Sequence, residues 1–598
     1  MTSKYDRYSK EELVRIIEER DRKPKFGLVW ERDEIDHDRS LNQDFVALDL
    51  APGFSIGDGA WDNLLVEGDN FDALRYLRMT HAGRVKCIYI DPPYNTGNKD
   101  FIYNDRFIDK DDLYKHSKWL EFMHRRLLLA RDLLAEDGVL LVSINDENRA
   151  KLELLLEQTL PGMRIGSLVW RKRRPSNAAN MEFFFSDDHE HVLVYGGARF
   201  QFAGAEKKWS GYSNWDEEKQ DYWASGDLTL GFSREQRPNL YFPLYNPKTG
   251  IWYPCDPNRV WVYALRERLG ERDVRTQPMD DMIAQNRVHF PDETNPACFQ
   301  SLAELETAIS AENAPPFLDA DPDKTFWVGR RIGFNKPRFK RFKKDLKRDM
   351  QPLSSWIAEA GKSEAGESFA LETGMTAEGT KALRTLGLGA GFSYPKPPSL
   401  IKALVGQSTG DNDLVMDFFA GSGTTAQAVL ELNREDGGRR RFIMVSATEA
   451  TADEPGKNIC RDVCAERIRR VIGGYGGKEG TGGNFAYLRV RRIGLEAVLT
   501  EIDHPQVWTA LQLIHRQQFK PYDDQAPCQE SVTPEEGLIY LPRIQDDCIR
   551  RVLTLSTTLP HLTVYTWQPG LLRGRIHAEG VTIEHIPHFL VNRFGGAA

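Results

Sequence analysis

The sequence predicts an α/β fold in which a mostly parallel sheet carries helices on both faces. Short apolar runs of strand character alternate with amphipathic stretches of helical spacing, first before residue 196 and again after residue 391. Such alternation is typical of parallel sheets, because each crossover helix packs on the sheet that it connects. Between these two regions the rhythm is lost and Trp, Tyr, Pro and Gly are frequent, which predicts an inserted domain.

The chain divides into four predicted segments. They are residues 1–196, the insertion 197–391, residues 392–472 and, beyond a glycine-rich linker at 473–483, residues 484–598. The expected strands are 64–66, 85–90, 139–144, 414–419 and 442–445, and the expected helices are 9–20, 70–77, 117–135, 424–433 and 458–471. The first helix opens with Ser9 and Glu12 at the spacing of a capping box.

Composition narrows the class of protein. No apolar run reaches the roughly 18 residues of a membrane span, and the N-terminus lacks a secretory signal, so we expect a cytoplasmic protein with no membrane partner. The 7 cysteines are scattered, and Cys460 and Cys464 are not followed by a second ligand pair at zinc spacing, so neither disulfides nor a metal site is predicted. A net charge of -9 does not exclude DNA as partner, because phosphate affinity depends on local basic clusters.

The strongest motif is Ile88-Tyr89-Ile90-Asp91-Pro92-Pro93-Tyr94-Asn95, an apolar strand followed by an acid, two prolines and an aromatic. Asp91 should therefore lie at the carboxyl end of a strand, where α/β folds bind ligands. The prolines make the turn rigid and leave carbonyl oxygens free, because they fix φ and have no N–H. The Asp91 carboxylate and the Pro92 carbonyl could then accept both hydrogens of an amino group. For the acid and prolines alone, a purely structural turn is the alternative.

This arrangement suits methyl transfer to an exocyclic amine such as adenine N6, whose lone pair is delocalised into the ring. Two acceptors would favour a more tetrahedral nitrogen as the methyl group arrives, which stabilises the transition state. A base in a duplex must first flip out of the stack, and stacking on Tyr94 would offset part of that cost of about a few kcal/mol. Asp91, Pro92, Pro93 and Tyr94 are therefore the candidate catalytic residues.

A second motif, Val415 to Ala426, reads as a strand, a glycine turn and a helix start. Glycines let the backbone approach a ligand closely, and a helix N-terminus favours an anionic group such as a carboxylate. Gly421, Gly423 and Ala426 also fit a dinucleotide fingerprint, with Glu449 as the ribose-binding acid. We favour a methyl-donor site, since a nicotinamide enzyme would not need the Asp91 to Tyr94 motif.

Together the two motifs resemble the circularly permuted beta group of amino-methyltransferases that act on DNA adenine. The length and the opening Lys25-Phe26-Gly27-Leu28-Val29-Trp30-Glu31 are similar, more narrowly, to the modification subunit of type III restriction-modification systems. The resemblance covers residues 25–195 and 394–470. It implies a Rossmann-like S-adenosylmethionine-dependent methyltransferase fold, circularly permuted, with a catalytic half at 1–196, a cofactor half at 392–472, an inserted target-recognition domain and a small C-terminal assembly domain.

The resemblance also implies which residues bind S-adenosylmethionine. Tyr394-Pro395-Lys396-Pro397 would cover its methionine part, Asp69 would approach its adenine ring, and Glu449 would bind its ribose. For Asp69, a helix cap is an equally good reading. The full set is Asp69, Asp91, Lys396, Pro397, Asp417, Phe419, Ala420, Gly421, Ser422, Gly423, Thr424, Thr425 and Glu449.

Two basic clusters are the candidate contacts to double-stranded DNA. The first is Arg171, Lys172, Arg173 and Arg174, and the second, interleaved with phenylalanines inside the insertion, includes Lys340, Arg341, Lys343 and Lys344. By contrast, His189-Glu190-His191 has no partner ligands at zinc spacing and is expected to have a surface or packing role.

Two alternatives to adenine methylation stay open. Cytosine N4 needs the same two acceptors, although the family more often has Ser in place of Asp91 for that base. The chain could also be a recognition subunit that mainly directs a nuclease. It has no evident nuclease or helicase motif, so a possible partner is a separate ATP-dependent restriction subunit, and the resemblance further implies a homodimer.

Overall fold

A computed structural model describes most of the chain, which divides into two units. The described residues are 9–10, 12–14, 30, 44–95, 102–103, 106–107, 115–174, 186–206, 211–269, 277–345, 350–361, 370–389, 391–451, 454–516 and 518–595. One unit comprises Met1–Gly204 with Pro352–Ala598, and the other is Ala205–Gln351. Ser9 and Glu12 exchange both bonds of the expected capping box, at 2.8 and 3.2 Å, while most of that helix and residues 25–29 lie outside the described residues.

The first unit is built on one sheet of eleven strands. In chain order these are β1 (Phe45–Leu50), β2 (Leu64–Glu67), β3 (Val85–Ile90), β4 (Leu134–Ile144), β5 (Arg164–Arg171), β6 (His189–Gly196), β7 (Trp356–Glu359), β8 (Leu371–Thr373), β9 (Leu414–Asp417), β10 (Arg441–Ser446) and β11 (Ala486–Ile493). Their spatial order is β1-β11-β2-β10-β9-β3-β4-β6-β5-β7-β8.

The six central strands from β11 to β4 run parallel to one another. β1 is antiparallel at one side, and β6 lies antiparallel between β4 and β5 at the other. The predicted α/β class is therefore confirmed. Because neighbouring parallel strands end at the same edge of a sheet, all the loops that follow the central strands gather along one edge.

Helices cover both faces of this sheet. They are α1 (Asn70–His81), α2 (Lys115–Leu133), α3 (Asp146–Thr159), α4 (Pro398–Ser408), α5 (Thr424–Asp436), α6 (Glu466–Gly473), which continues a π-helical turn at Cys460–Ala465, and α7 (His504–Ile514). Successive strand residues point to opposite faces, so Ile88 and Ile90 pack in one core with α1, α2, α3 and α7. Cys87 and Tyr89 pack in the other core with α4, α5 and α6.

The insertion is shorter than predicted. The sequence suggested 197–391, whereas the separate unit ends at Gln351, because β7 and β8 continue the main sheet beside β5 and the helix Thr376–Thr385 follows them. The inserted unit has its own cores around Trp261 and Trp327. Its elements are the strands Asn214–Asp216, Asp221–Gly226, Leu244–Asn246, Ile251–Tyr253, Val288–His289, Arg331–Ile332 and Arg338–Phe342 and the helices Met279–Ala284 and Leu302–Ser310, with Ala205–Glu206 paired to Met350–Gln351.

The predicted boundary before residue 484 is also wrong. The glycine-rich segment contains a small hairpin, Gly474–Tyr475 with Lys478–Glu479, and leads into β11, which pairs between β1 and β2. The C-terminal part of this unit then forms a four-stranded sheet of Gln529–Val532, Glu536–Leu541, His561–Thr566 and Val581–His585, with helices Val498–Glu501, Asp546–Ser556, Pro569–Arg573 and His588–Phe594. Of the helices in the described parts of the chain, none is long and apolar enough to cross a bilayer.

Candidate active site

The two sequence motifs end on neighbouring strands. β3 and β9 pair in parallel register, with Val415 beside Cys87 and Met416 beside Ile88. Asp91 follows β3 directly, and the glycine turn follows β9. Since neighbouring strands lie about 4.8 Å apart, the two motifs share one site at the carboxyl edge of the sheet, although about 330 positions separate them in the chain.

The turn at Asp91 is held from outside the motif. The Trp119 indole donates a 2.8 Å hydrogen bond to the Pro93 carbonyl, and the Asn148 side chain donates one of 2.7 Å to the Tyr94 carbonyl. Trp119 lies on α2 and Asn148 on α3, and both are buried. The Pro92 carbonyl receives no hydrogen bond from any described residue, so it is available as an acceptor beside Asp91.

Lys396 lies at the centre of this site rather than at its rim. Its ammonium is 2.9 Å from Asp91 Oδ1, donates to the Tyr94 hydroxyl at 2.7 Å and is 3.3 Å from Glu190 Oε2. The Tyr94 hydroxyl donates to the same Asp91 oxygen at 2.8 Å and lies 3.1 Å from Glu190. Two carboxylates, one ammonium and one phenol thus form a single network. The expected contact of Lys396 with the cofactor stays a prediction.

Burial and charge act against each other in this network. Burial raises the pKa of Asp91, and the Lys396 ammonium limits that rise. Burial alone would lower the pKa of Lys396, but the carboxylates of Asp91 and Glu190 raise it above its ordinary value. Lys396 therefore stays charged at neutral pH. Its ammonium donates to Asp91 Oδ1 and so takes up one of the positions at which this carboxylate could accept a hydrogen bond.

The turn after β9 depends on its glycines. Gly421 and Gly423 have φ of 47° and 79°, in the left-handed region that favours glycine. A Cβ on Gly421 would lie 2.9 Å from the Phe392 ring, and one on Gly423 would lie 2.9 Å from the Cys464 sulfur. Gly423 is the N-cap of α5, so the turn presents bare backbone and a helix N-terminus at the edge of the sheet, which suits an anionic group.

Asp417 anchors this turn from below. One carboxylate oxygen accepts from the Phe419 amide at 2.9 Å and the other from the Thr425 hydroxyl at 2.6 Å. Burial raises the pKa of Asp417 to about 7, although both hydrogen bonds favour the ionised form. Asp417 therefore organises the turn from a buried position, and direct contact with a cofactor stays a prediction for it.

A buried arginine supports the turn from behind. Arg467, on α6, donates to the Ser422 hydroxyl at 2.9 Å, the Thr424 hydroxyl at 2.7 Å and Gln427 at 2.7 Å. Burial lowers its pKa to about 10. The hydroxyls of Ser422 and Thr424 are thus used inside the protein, which leaves mainly backbone at the surface of the turn.

Asp69 acts as a helix cap in the structure. Its carboxylate accepts from the Phe71 amide at 2.8 Å and the Asp72 amide at 3.4 Å, and it pairs with Arg126 at 3.0 Å. The Arg126 guanidinium also lies 3.6 Å from the centre of the Phe122 ring, which packs against Phe419. Asp69 thus lies at the same sheet edge as the glycine turn, at the end of β2, and ligand contact remains a prediction.

Glu449 follows β10, which lies between β2 and β9. It has a positive φ of 54°, and its carboxylate pairs with Lys457 at 3.2 Å while remaining partly exposed. Pro397 is the N-cap of α4, next to Lys396. These positions agree with a ligand groove along the ends of β2, β10 and β9, and the ribose-binding role of Glu449 stays a prediction.

The first basic cluster follows β5 and is partly neutralised. The Lys172 ammonium pairs with Asp187 at 2.7 Å and lies 3.7 Å from Glu190, and Arg174 pairs with Glu359 at 2.7 Å. Arg173 is exposed and donates to the Asp187 carbonyl. Lys172 therefore belongs to the charge network of the site through Glu190, while Arg171, Arg173 and Arg174 remain candidate phosphate contacts.

The second basic cluster, within the inserted unit, does not form one surface. Lys340 is buried, its ammonium bonded to Asp216 at 2.6 Å and Asn286 at 3.2 Å. The prediction that Lys340 contacts DNA is therefore wrong. Successive side chains of a strand point to opposite faces, and the face to which Lys340 points is buried. Arg341, on the other face, is exposed, as are Lys343 and Lys344, although Lys344 also donates to the Gln220 carbonyl.

Sequence reasoning missed Glu190. It expected only a surface or packing role for His189-Glu190-His191, the segment of β6 that contains this residue. The signal was available in the alternation of a strand, which separates Glu190 from the two flanking histidines. What could not be seen from the sequence is that β6 inserts antiparallel beside β4 and so brings Glu190 to Tyr94 and Lys396.

Comparison with known proteins gives one family. The family model described as DNA methylase matches residues 85–454, more than half of the chain. The type III restriction-modification enzyme EcoPI Mod subunit of Escherichia phage P1 is 30% identical over 423 residues, 65% of this chain and 58% of that protein. The StyLTI Mod subunit of Salmonella typhimurium, also type III, is 27% identical over 442 residues, 68% of this chain and 57% of that protein.

A relative of another type also matches. The type II methyltransferase M.KpnI of Klebsiella pneumoniae is 27% identical over 390 residues, 64% of this chain and 79% of that protein. The matched region thus spans less than two thirds of the two Mod subunits but most of the type II enzyme.

Proposed function

The chain belongs to the DNA methylase family, and from that premise we propose that it transfers the methyl group of S-adenosylmethionine to the N6 amine of adenine at a specific DNA sequence. The observation that carries this proposal is the pairing of β3 with β9. It joins an amine-accepting turn, Asp91 and Pro92, to a glycine turn suited to the methyl donor. Two strands at opposite edges of the sheet would have made direct transfer impossible.

The residues present fit the donor. S-adenosylmethionine supplies an electrophilic methyl group on a sulfonium. The bare backbone of Gly421 and Gly423 and the N-terminus of α5 are suited to the carboxylate of its methionine part. Glu449 and Asp69, at the ends of neighbouring strands, are suited to its ribose and adenine.

Asp91 and the Pro92 carbonyl then act on the acceptor base. They accept hydrogen bonds from the two amine hydrogens and so favour a tetrahedral nitrogen as it attacks, while Tyr94 provides a face for the flipped base. Transfer would break the bond between the sulfonium and its methyl group, leave the donor as a neutral thioether, and release one proton of the amine to solvent. The amine must take the position that the Lys396 ammonium holds on Asp91 Oδ1. Glu190, 3.3 Å from Lys396, is the second carboxylate that keeps this ammonium paired when the base enters.

We propose that the inserted unit recognises the DNA sequence and that its exposed Arg341, Lys343 and Lys344 contact phosphates. The similarity to EcoPI and StyLTI Mod subunits supports a role as the modification and recognition subunit of a type III system. Such a role implies a homodimer and a separate ATP-dependent restriction subunit. The similarity to M.KpnI supports the alternative that the chain works alone.

The test is methylation by the purified full chain. It is incubated with radiolabelled S-adenosylmethionine and unmethylated genomic DNA, and the modified nucleosides are identified by mass spectrometry. The proposal expects N6-methyladenine at one recurrent sequence, read out by sequencing of the product. N4-methylcytosine would instead show a cytosine enzyme. DNA binding without methyl incorporation would contradict methyl transfer and favour a recognition subunit.

The assignment to type III is tested separately by size-exclusion chromatography with light scattering and by co-purification from the native host. A dimer that retains a helicase and nuclease chain supports it. A monomer that methylates without any such partner supports a solitary enzyme.

A further inference from the structure

Two histidines of β6 point away from the catalytic network. His189 and His191 are two residues apart on the strand and therefore share a face, whereas Glu190 between them faces Lys396. Their rings meet edge to face with centroids 5.0 Å apart. The sequence offered no third ligand for this pair, but the fold supplies one.

That third group is Asp146, the first residue of α3. Pairing of Ile144 with His191 brings the end of β4 beside the two histidines. Asp146 Oδ1 lies 3.2 Å from His191 Nε2, and ligand atoms of Asp146, His189 and His191 all lie within 4.8 Å of one another. Donors bound at about 2.0–2.1 Å to a tetrahedral ion lie roughly 3.3 Å apart, so the Asp146–His191 pair is already at that spacing.

The surroundings suit an ion with nitrogen ligands. His191 is buried, and its other ring nitrogen lies 3.4 Å from the Ser167 hydroxyl, which fixes the imidazole in the way that second hydrogen bonds orient metal ligands. The Asp146 side chain is 68% exposed and can rotate to close the remaining distances. Because Asp146 is exposed, water at that side chain would be able to supply the remaining ligand.

Arg149 is the competing cation. One guanidinium nitrogen lies 3.5 Å from His191 Nε2, where a metal ion would bind. The same side chain reaches Glu153 with Nε 3.6 Å from Oε2 and is about one third exposed, so it has another carboxylate to pair with when displaced.

We propose that Asp146, His189 and His191 form a binding site for one divalent transition-metal ion, such as Zn²⁺, with water as the remaining ligand. The site lies on the strand that carries Glu190 but on its opposite face, so it is separate from the proposed methyl-transfer chemistry. Two imidazoles and one carboxylate favour zinc, cobalt or nickel over magnesium, which prefers oxygen ligands.

The experiment uses the full chain, stripped with a chelator and titrated with ZnCl₂ by isothermal titration calorimetry. We expect one strongly bound Zn²⁺ per chain and no comparable binding of MgCl₂. His191→Ala and Asp146→Asn should each weaken the Zn²⁺ affinity by at least about tenfold. Changing a residue that only orients a metal ligand already costs about tenfold or more in metal affinity, so removing a ligand should cost at least as much. CoCl₂ absorption then reports coordination number independently of calorimetry.

Two further variants separate a built site from adventitious binding. His585 and His588 have ring centroids 4.7 Å apart and serve as the matched control, so the double change to alanine should leave the Zn²⁺ affinity unaltered. Arg149→Gln removes the competing cation and should tighten binding, an effect that damage to the fold cannot produce. Absence of stoichiometric Zn²⁺ binding in the unaltered chain, or equal affinity in His191→Ala, would overturn the proposal.

Discussion

The sequence predicts a functional role for two regions, the turn after β3 and the basic segment around Lys340. The structure brings the predicted residues of the first region together and separates those of the second. Asp91, Tyr94 and Lys396 converge on one network at the sheet edge. Of the basic residues, Lys340 is buried on Asp216, while Arg341 next to it is exposed.

The difference lies in what each motif constrains. Proline and glycine act on the backbone itself, so a strand followed by Asp91-Pro92-Pro93 or by Gly421 and Gly423 determines its own local geometry. A run of lysines and arginines constrains only charge. Which of those charges reaches solvent depends on strand pairing and on which partners lie on each face. The predictions below test this contrast, beginning with the largest effect.

Asp91→Ala is expected to lower the methylation rate by about 10³-fold, the scale of losing a transition-state acceptor. Cofactor and DNA affinities should change little, because Lys396 keeps Glu190 as a partner and the site stays folded. The rate is measured by single-turnover methyl transfer. Asp187→Ala removes another carboxylate near the site, one that is exposed and paired with Lys172, and should leave the rate nearly unchanged. Equal losses in both variants would contradict a specific role for Asp91.

Lys340→Met is expected to lower the free energy of unfolding by about 3 kcal/mol, because the buried Asp216 carboxylate loses its only cation among the described residues and keeps hydrogen bonds from Asn286 and the Lys219 amide. It should not change the salt dependence of DNA binding. Arg341→Gln should leave the free energy of unfolding nearly unchanged. It should instead reduce the slope of log DNA affinity against log salt concentration, the salt slope, by about one. Urea denaturation and fluorescence titration at several salt concentrations measure the two effects. A reduced salt slope in Lys340→Met would show that Lys340 contacts DNA after all.

Gly423→Ala is expected to weaken binding of S-adenosylmethionine by roughly tenfold, because the strain of about 1–2 kcal/mol that a side chain has at a left-handed φ would here displace the turn proposed to bind the cofactor. The added Cβ would also press on Cys464. Gly437, at the other end of α5, has a similar φ of 75° and open space around its Cβ position. Gly437→Ala therefore carries the strain without touching the turn, and calorimetry should show unaltered cofactor affinity for it.

The Asp417 carboxylate predicts a pH dependence of cofactor binding. Its pKa is raised to about 7 by burial, and the ionised form is the one that accepts hydrogen bonds from Phe419 and Thr425. Protonation as pH falls below about 7 should loosen the turn, so affinity should decrease from pH 7.5 to 5.5, by at most about tenfold per unit. Asp417→Asn should flatten this profile. A profile that is unchanged in that variant would assign the dependence to another group.

Much of the fold followed from local pattern, and the errors have physical causes. The strand–helix rhythm predicted β2, β3, β9, β10 and α5 nearly to their ends, and the part of β4 from residue 139 onward. The short strands β7 and β8 and the distant strand β11 were missed because joining a sheet depends on hydrogen bonds to partners far away in the chain, which local periodicity does not contain.

The same division holds for the candidate site. The sequence by itself determined the rigid turn at Asp91, the left-handed turn at Gly423 and the strand on which each stands, because these are properties of proline, glycine and apolar runs. Only the tertiary structure decided that β3 and β9 are neighbours, that Glu190 and Lys396 meet at Asp91, and that Lys340 lies inside. These are contacts between residues distant in the chain, and their geometry depends on the packing of the whole sheet.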